Sequence, residues 1–280
     1  MDNLAGYVSD DELAIEPLEK LGWIVKTVSW RDKTVDWNDF AAVIIRTTWD
    51  YQKFPVEFIE VLRKIDASTA RLENSLKIVE WNLSKTYLRE LESKQIKIVP
   101  TIWDEKSVTF DDFQRWKLFF NTDEIIIKPI VSATAEYTYR LTEFLPELTE
   151  VFANKPFMVQ PFMPKIVEEG EFSLFYFGGK YSHTILKSPK AKDFRVQEEH
   201  GGIITQVSPS AKLSATAQKV FNQINENLLY ARIDFVRDAN DNFCLMELEL
   251  IEPALYLRTA ENAPQFFAET VDKRLKNYEK

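Results

Sequence analysis

Glycine is scarce in this 280-residue chain, with seven in all, and none falls in a G-x-G-x-x-G or G-x-x-x-x-G-K-[ST] pattern. The common glycine-rich cradles for dinucleotides and P-loop phosphates are therefore excluded, and a nucleotide site must work by other means. There is one cysteine, Cys244. It cannot pair within its own chain, which points to a reducing, cytoplasmic setting. The histidines number two, His183 and His200. His183 lies in an extended segment and reads as a hydrogen-bonded structural residue, whereas His200 precedes two glycines in a polar loop from which it can reach a substrate. With Cys244 at a core-facing position, no nucleophilic triad or Cys–His pair remains to propose. No apolar run approaches the roughly eighteen residues needed to cross a bilayer. The N-terminus, MDNLAGYVSDDEL, lacks the basic start and apolar core of a secretory signal. A basic excess is missing as well, since the net charge is -9. That argues against nucleic-acid or membrane-surface binding, which needs clustered Lys and Arg, but leaves room for small anions bound locally.

What is present is an ordinary globular composition, 45% hydrophobic and 28% charged, long enough for two or three subdomains around a cleft. Residues 11–21 (DELAIEPLEKL) are amphipathic, Trp23 to Trp30 reads as a strand, and AAVIIRTTW (41–49) as a buried strand ending in a polar loop. Helix period returns after Pro55. This alternation predicts a small parallel α/β unit with ligands at the carboxyl ends of its strands, where Arg46 and Asp50 lie. About seven residues precede the first helix, so the usual opening strand is shortened or missing. Further on, helices are predicted at Ser84 to Lys94, Phe110 to Phe120 and Ser214 to Leu229. Strands are predicted at Lys97 to Thr101, at EIIIKPI (124–130) and at PFMVQPFM (156–163). FSLFYFGGKYSHTILK (172–187) reads as a hairpin turning at Gly178-Gly179.

The most informative stretch is ARIDFVRDANDNFCLMELELIEP. Strand side chains alternate, so Glu247 and Glu249 share one face while Met246, Leu248 and Leu250 point to the core. A turn centred between Asn240 and Asp241 sets Asp234 opposite Glu247 and Arg232 opposite Glu249. Facing carboxylates repel one another, so this group asks for a cation between them, and magnesium, with its taste for hard oxygen ligands, suits it. A solvated acidic sheet face is the other reading. DANDN imitates a calcium loop, but Phe243 stands where that loop needs glycine.

With this hairpin in hand, the chain resembles the ATP-grasp superfamily, specifically its glutathione synthetase-like branch and the D-cycloserine-forming ligases within it. The likeness runs in order through IIRTTWDY (44–51), LENSLKIVEWNLSKTYL (72–88), IIIKPIVSATAEYTYRL (125–141), MVQPFM (158–163), GEFSLFYFGGKYSH (170–183), DFRVQEEHGG (193–202) and LMELELIEP (245–253). It implies an α/β (α+β) ATP-grasp fold: an N-terminal open α/β domain (1–75), a lid subdomain (76–160) and a central antiparallel-sheet subdomain (161–280).

The resemblance also implies roles. Asp234, Glu247 and Glu249 would hold magnesium bridging the phosphates of ATP, and Lys85 and Lys128 would be the two phosphate-binding lysines. Lys85 can alternatively sit on an exposed helix face; Lys128 interrupts an apolar strand, where an unpaired charge is costly. Residues near Gln160 would run beside the adenine, although MVQPFM also fits a plain edge strand. Glu171 is similar in place to the ribose contact. Lys187 and Arg195 match basic positions that face the phosphates or the acyl phosphate, with a solvated loop as the alternative for Arg195. Arg46 resembles the substrate arginine of the N-terminal domain, whose fork can clamp a carboxylate. The implied enzyme is an ADP-forming ligase that activates a small carboxylate as an acyl phosphate for attack by an amine-type nitrogen. Intramolecular ring closure of the D-cycloserine type is one rival, and a nucleotide-binding regulatory module without turnover is another. A homodimer is compatible with either. One departure stands out: VSATAEYT replaces the glycine-rich loop over the phosphates, which predicts a stiffer lid.

Overall fold

The computed structural model describes residues 1–105 and 107–277. Near the N-terminus, β1 (Ala42–Ile44) and β2 (Arg71–Glu73) form a short parallel pair joined through the helix Pro55–Asp66. No strand precedes β1 among the described residues, so the opening strand is missing. The predicted strand from Trp23 to Trp30 is not formed either. Its alternation does not produce a buried face: Ile24 is 89% exposed, and Trp30 instead inserts alone, donating its indole N–H to Asp50 at 2.9 Å.

A four-stranded antiparallel sheet follows, built of β3 (Ile102–Glu105), β4 (Ile125–Pro129), β5 (Tyr139–Leu141) and β6 (Phe157–Pro161) in the order β3-β6-β4-β5. Its period-2 pattern divides the faces. Ile125, Ile127, Phe157 and Val159 join Trp116 and Phe113 of the helix Phe110–Phe120 in one core, leaving Ile126, Lys128 and Gln160 on the opposite face. That helix opens with a capping box between Thr109 and Asp112 and closes on left-handed Asn121.

The largest sheet has five antiparallel strands, β7 (Glu171–Phe177), β8 (Lys180–Ser188), β9 (Ile203–Gln206), β10 (Tyr230–Arg237) and β11 (Phe243–Glu249), in the order β11-β10-β7-β8-β9. The hairpin turns at Gly178-Gly179, both at positive φ. Alternate side chains feed two cores. Leu174, Tyr176, Ile233 and Phe235 pack with the helix Ala211–Phe221 and with Ile78, Tyr87 and Leu88, while Phe175, Phe177 and Tyr230 pack under the helix Ala263–Lys276. The helix predicted to run on to Leu229 stops at Phe221. Lys97 to Thr101 is no strand of its own; it makes a single bridge, Ile98 to Leu245, and its backbone covers the outer edge of β11. Among the described residues no helix is long and apolar enough to cross a membrane.

Candidate active site

One face of the five-stranded sheet changes character along its length. Where Phe175, Phe177 and Tyr230 end, the same face continues as Glu171, Ser173, Arg232 and Asp234, joined by Lys187, Glu247 and Glu249 from the neighbouring strands. This polar half faces the inner side of the four-stranded sheet, and the cleft between them is lined by both. The register is the one the turn predicts at the site, Asp234 to Glu247 and Arg232 to Glu249. A bulge between Asp234 and Phe235 shifts the pairing beyond it, so that Phe235 faces Leu245. Met246 is the extra residue, and it lies at the cleft, not in the deep core predicted from alternation.

The edge strand β11 is held by side chains from the preceding helical segment. Asn82 donates to Leu248 O at 2.8 Å and accepts from Leu250 N at 2.9 Å, and Tyr87 Oη accepts from Leu248 N at 2.9 Å. These bonds satisfy backbone groups that an edge strand would leave open, and they fix the direction in which Glu247 and Glu249 project. One oxygen from each of Asp234, Glu247 and Glu249 lies within 4.8 Å of the others. Hard oxygen donors at that spacing fit a divalent cation such as magnesium.

In the structure these acids are neutralised by neighbouring cations. Lys85 Nζ bonds Glu247; Arg232 bonds Asp234 through Nε at 3.1 Å and also bonds Glu249. Lys187 bonds Glu171 and lies 3.6 Å from Asp234. Desolvation opposes ionisation of Asp234 and Glu247, but Arg232 and Lys187 for the first, and Lys85 and Lys128 for the second, hold both below the usual carboxylate range. Glu249 is pushed up to about 7 by desolvation, with Glu247 and Asp234 adding to it against Arg232. Lys187 is raised because Asp234 and Glu171 outweigh its burial.

Lys128 differs from all of these. Among the described residues its ammonium has no ion pair, and desolvation together with repulsion from Lys85 lowers it to about 8. Gln160 lines the cleft 3% exposed and donates to Thr101 at 2.9 Å. Ser132 to Ala135 also line it, with Thr134 and Ala135 at φ 51° and 56°. This loop does without glycine by holding ordinary residues in the left-handed region. It is tied outward as well, Glu136 lying 3.6 Å from Lys53 and Thr134 O meeting His200 Nε2 at 3.3 Å.

Two predicted residues stand differently from expectation. Arg195 lines the cleft, but its guanidinium grips Asp193 at 3.1 and 2.9 Å, with the side chain 37% exposed. Arg46 does not line the cleft. It donates to Asp11 at 3.0 and 3.1 Å and to Pro253 O at 2.5 Å, with its guanidinium carbon 5.0 Å from the Tyr230 ring centre. The fork proposed for a substrate carboxylate is thus occupied by Asp11. His183 is structural as expected, bonding Leu255 O and held down to about 4 by burial. Cys244 is buried, with its thiol pushed up to about 11. Residues that sequence reasoning passed over are Arg232, read only as a cross-strand neighbour, and Trp49, Tyr51 and Glu252, which also line the cleft. Trp49, Tyr51 and Glu252 sit inside segments that carry the family likeness and Arg232 in the hairpin; what singles them out is burial in the cleft, which sequence does not show.

The fold is shared with known proteins. Residues 1–74 match the family model described as the N-terminal domain of D-cycloserine synthetase DcsG. The cycloserine biosynthesis protein DcsG of Streptomyces lavendulae is 26% identical over 257 residues, covering 85% of this chain and 84% of that protein. The crystal structure of D-cycloserine synthetase DcsG matches with a TM-score of 0.80 at 24% identity, over 94% of both chains. The ATP-grasp ligase PsnB complexed with a minimal precursor matches at 0.65 and 14% identity, over 95% of this chain and 94% of that one. The macrocyclase MdnC bound with the precursor peptide MdnA, from Microcystis aeruginosa MRC, matches at 0.63 and 13%, over 95% of each. The chain has the ATP-grasp fold and, over most of its length, is similar to the D-cycloserine-forming ligases of that superfamily.

Proposed function

We propose that the protein is a magnesium-dependent, ADP-forming ligase that activates a small-molecule carboxylate as an acyl phosphate and joins it to an amine-type nitrogen. The observation that carries this reading is the pairing across one cleft of three convergent carboxylates, within 4.8 Å of one another, with a lysine that forms no ion pair among the described residues. Asp234, Glu247 and Glu249 would hold magnesium, which supplies charge neutralisation to the phosphates. Lys128 and Lys85 bind the phosphates of ATP, and the strand around Gln160 lies alongside the base. Glu171 keeps Lys187 charged and oriented toward Asp234. In this scheme a carboxylate oxygen attacks the γ-phosphorus and ADP leaves. The nitrogen then adds to the acyl carbon, the C–O bond to phosphate breaks, and inorganic phosphate departs. The chain's contribution is positioning and electrostatic stabilisation, with no covalent enzyme intermediate.

The test is an ADP-release screen of carboxylic acids, alone and paired with amines, followed by isotope transfer for any active acid. A carboxylate labelled with oxygen-18 must hand one labelled oxygen to the released phosphate; unlabelled phosphate beside ADP would refute the acyl phosphate. A second reading, intramolecular ring closure, is favoured by the match of residues 1–74 to the D-cycloserine synthetase N-terminal domain. One acid sufficing for turnover and giving a cyclic product selects it; a strict need for two substrates rejects it.

A further inference from the structure

The acids of the cleft have partners, Glu199 through the backbone N–H of Val8 at 3.3 Å and the others through cations, with one exception. Glu171 and Asp234 face Lys187, Asp234 and Glu249 face Arg232, and Glu247 faces Lys85. Glu252 is 6% exposed and lines the same cleft, yet among the described residues its carboxylate accepts no hydrogen bond and forms no ion pair. The contact that fixes this residue is made to its backbone, where the indole N–H of Trp49 donates to Glu252 O at 2.9 Å. Trp49 and Tyr51, 6% and 5% exposed, line the cleft from the N-terminal domain. The Tyr51 phenol is near enough to Glu252, Glu249 and Glu247 that they, after burial itself, push it well above its ordinary value. Burial and repulsion from Glu249 and Glu247 likewise raise Glu252.

A buried carboxylate with no partner is costly unless a ligand completes it. Glu252 stands outside the group of Asp234, Glu247 and Glu249 whose oxygens lie within 4.8 Å of one another. The wall beside it consists of an indole and a phenol, whose faces attract cations in desolvated sites. The phosphates of a nucleotide would be repelled here. What fits is a compact positive charge that pairs with the Glu252 carboxylate, in a cleft these rings also line.

We propose that Glu252, with Trp49 and Tyr51, forms a subsite for a primary ammonium group carried by the small-molecule substrate. The inference deepens the ligase reading and rests on it for the identity of the bound compound as substrate. The ammonium subsite is thus separate from the three acids grouped as the metal site.

The experiment is a calorimetric titration of the whole protein, with and without a non-hydrolysable ATP analogue and Mg2+. The probes are matched pairs that differ by ammonium against hydroxyl: glycine and glycolate, both hands of alanine and lactate, both hands of serine and glycerate. At least one amino compound should bind tenfold or more tightly than its hydroxy counterpart. Glu252→Gln, which keeps the shape and removes the charge, should cut that preference below twofold while leaving analogue affinity within twofold and the melting temperature unchanged or higher. Absence of any preference in the wild-type protein overturns the proposal, as does a preference that survives the substitution. Loss of Mg2+ or analogue affinity in Glu252→Gln would move Glu252 to the metal and also overturns it. Failure of the analogue to bind wild-type protein counts against the ligase reading alone, because the amine preference is read separately without nucleotide.

Discussion

Two groups of the cleft carry opposite frustrations. At the four-stranded sheet, Lys128 is a cation without an anion, lowered to about 8 by desolvation and by Lys85. Past the end of β11, Glu252 is a carboxyl that, among the described residues, has no cationic partner, its ionisation opposed by burial, Glu249 and Glu247. The acids of the metal group do have partners, through Lys85, Arg232 and Lys187. The paired group is the pre-organised part, and each unpaired group is a demand that a ligand of opposite sign satisfies. Phosphates at Lys128 and an ammonium at Glu252 would resolve both.

That contrast is broken most severely at its centre. Glu247→Gln should lower ADP formation by roughly 10²–10³-fold, the range for losing one pre-organised electrostatic group. The fold should persist, because the substitution removes one like charge from the trio Asp234, Glu247 and Glu249. Turnover beside a melting curve checks it, and near-wild-type turnover would remove the magnesium assignment. Next in size is Lys128→Met. Charge-assisted bonds contribute about 1.5–3 kcal/mol each, so analogue affinity should fall by roughly 10- to 100-fold. The melting temperature should stay level or rise, because an ammonium without a partner leaves the interior. Unchanged affinity would return Lys128 to a structural role.

The same lysine gives a smaller, pH-dependent effect whose sign is fixed. Its value in the folded protein, about 8, lies below the ordinary 10.5. Between those values the unfolded chain binds more protons, so stability from this group rises with pH across that window; below about 8 its full penalty is present. Phosphate binding favours the ammonium, so analogue affinity should fall as pH passes 8, by up to about tenfold per unit. The methionine variant should lose that dependence. A wild-type affinity flat from pH 7 to 10 would show that Lys128 does not meet the phosphates.

Much of this site is legible in the sequence because strand alternation is a strict rule. The pairing of Asp234 with Glu247 is the expected one, although the turn itself sets Arg237 against Phe243, one residue out of that register, and the bulge restores it; Lys128 is conspicuous inside an apolar strand. The bulge at Met246 is not legible, since it depends on how the loop 238–242 closes, through hydrogen bonds between Asp238 and residues 240 to 242. Glu252 lies past the end of β11, where alternation no longer assigns a face. Trp23 to Trp30 misleads for the opposite reason: it has the alternation of a strand but no neighbour to pair with, and a strand exists only in a ladder. The left-handed Thr134 and Ala135 are invisible too, because the expectation of glycine came from sterics that the tethers through Glu136 and His200 override.

Arg46 sharpens the comparison by supplying its control, a buried cation that is paired. Its guanidinium spans Asp11 and Pro253 O and faces the Tyr230 ring, and desolvation is outweighed by Asp11 so that it stays charged. By this bridge β1 is tied to the helical turn Asp11–Ala14 and to the segment that follows Glu252. Arg46→Lys keeps the charge but cannot reproduce two donors to Asp11 with a third to the carbonyl. The expected loss is about 1–2 kcal/mol of stability, the scale of one or two such bonds. Analogue affinity should be unchanged, as should kcat/KM for any substrate found, because the side chain does not line the cleft. The decisive comparison is therefore with Lys128→Met: one variant loses stability and keeps binding, the other loses binding and keeps stability. If Arg46→Lys raised KM for the carboxylate with no drop in melting temperature, the pair with Asp11 would have to open in the working enzyme. The division between paired scaffold and unpaired ligand groups would then fail at this residue.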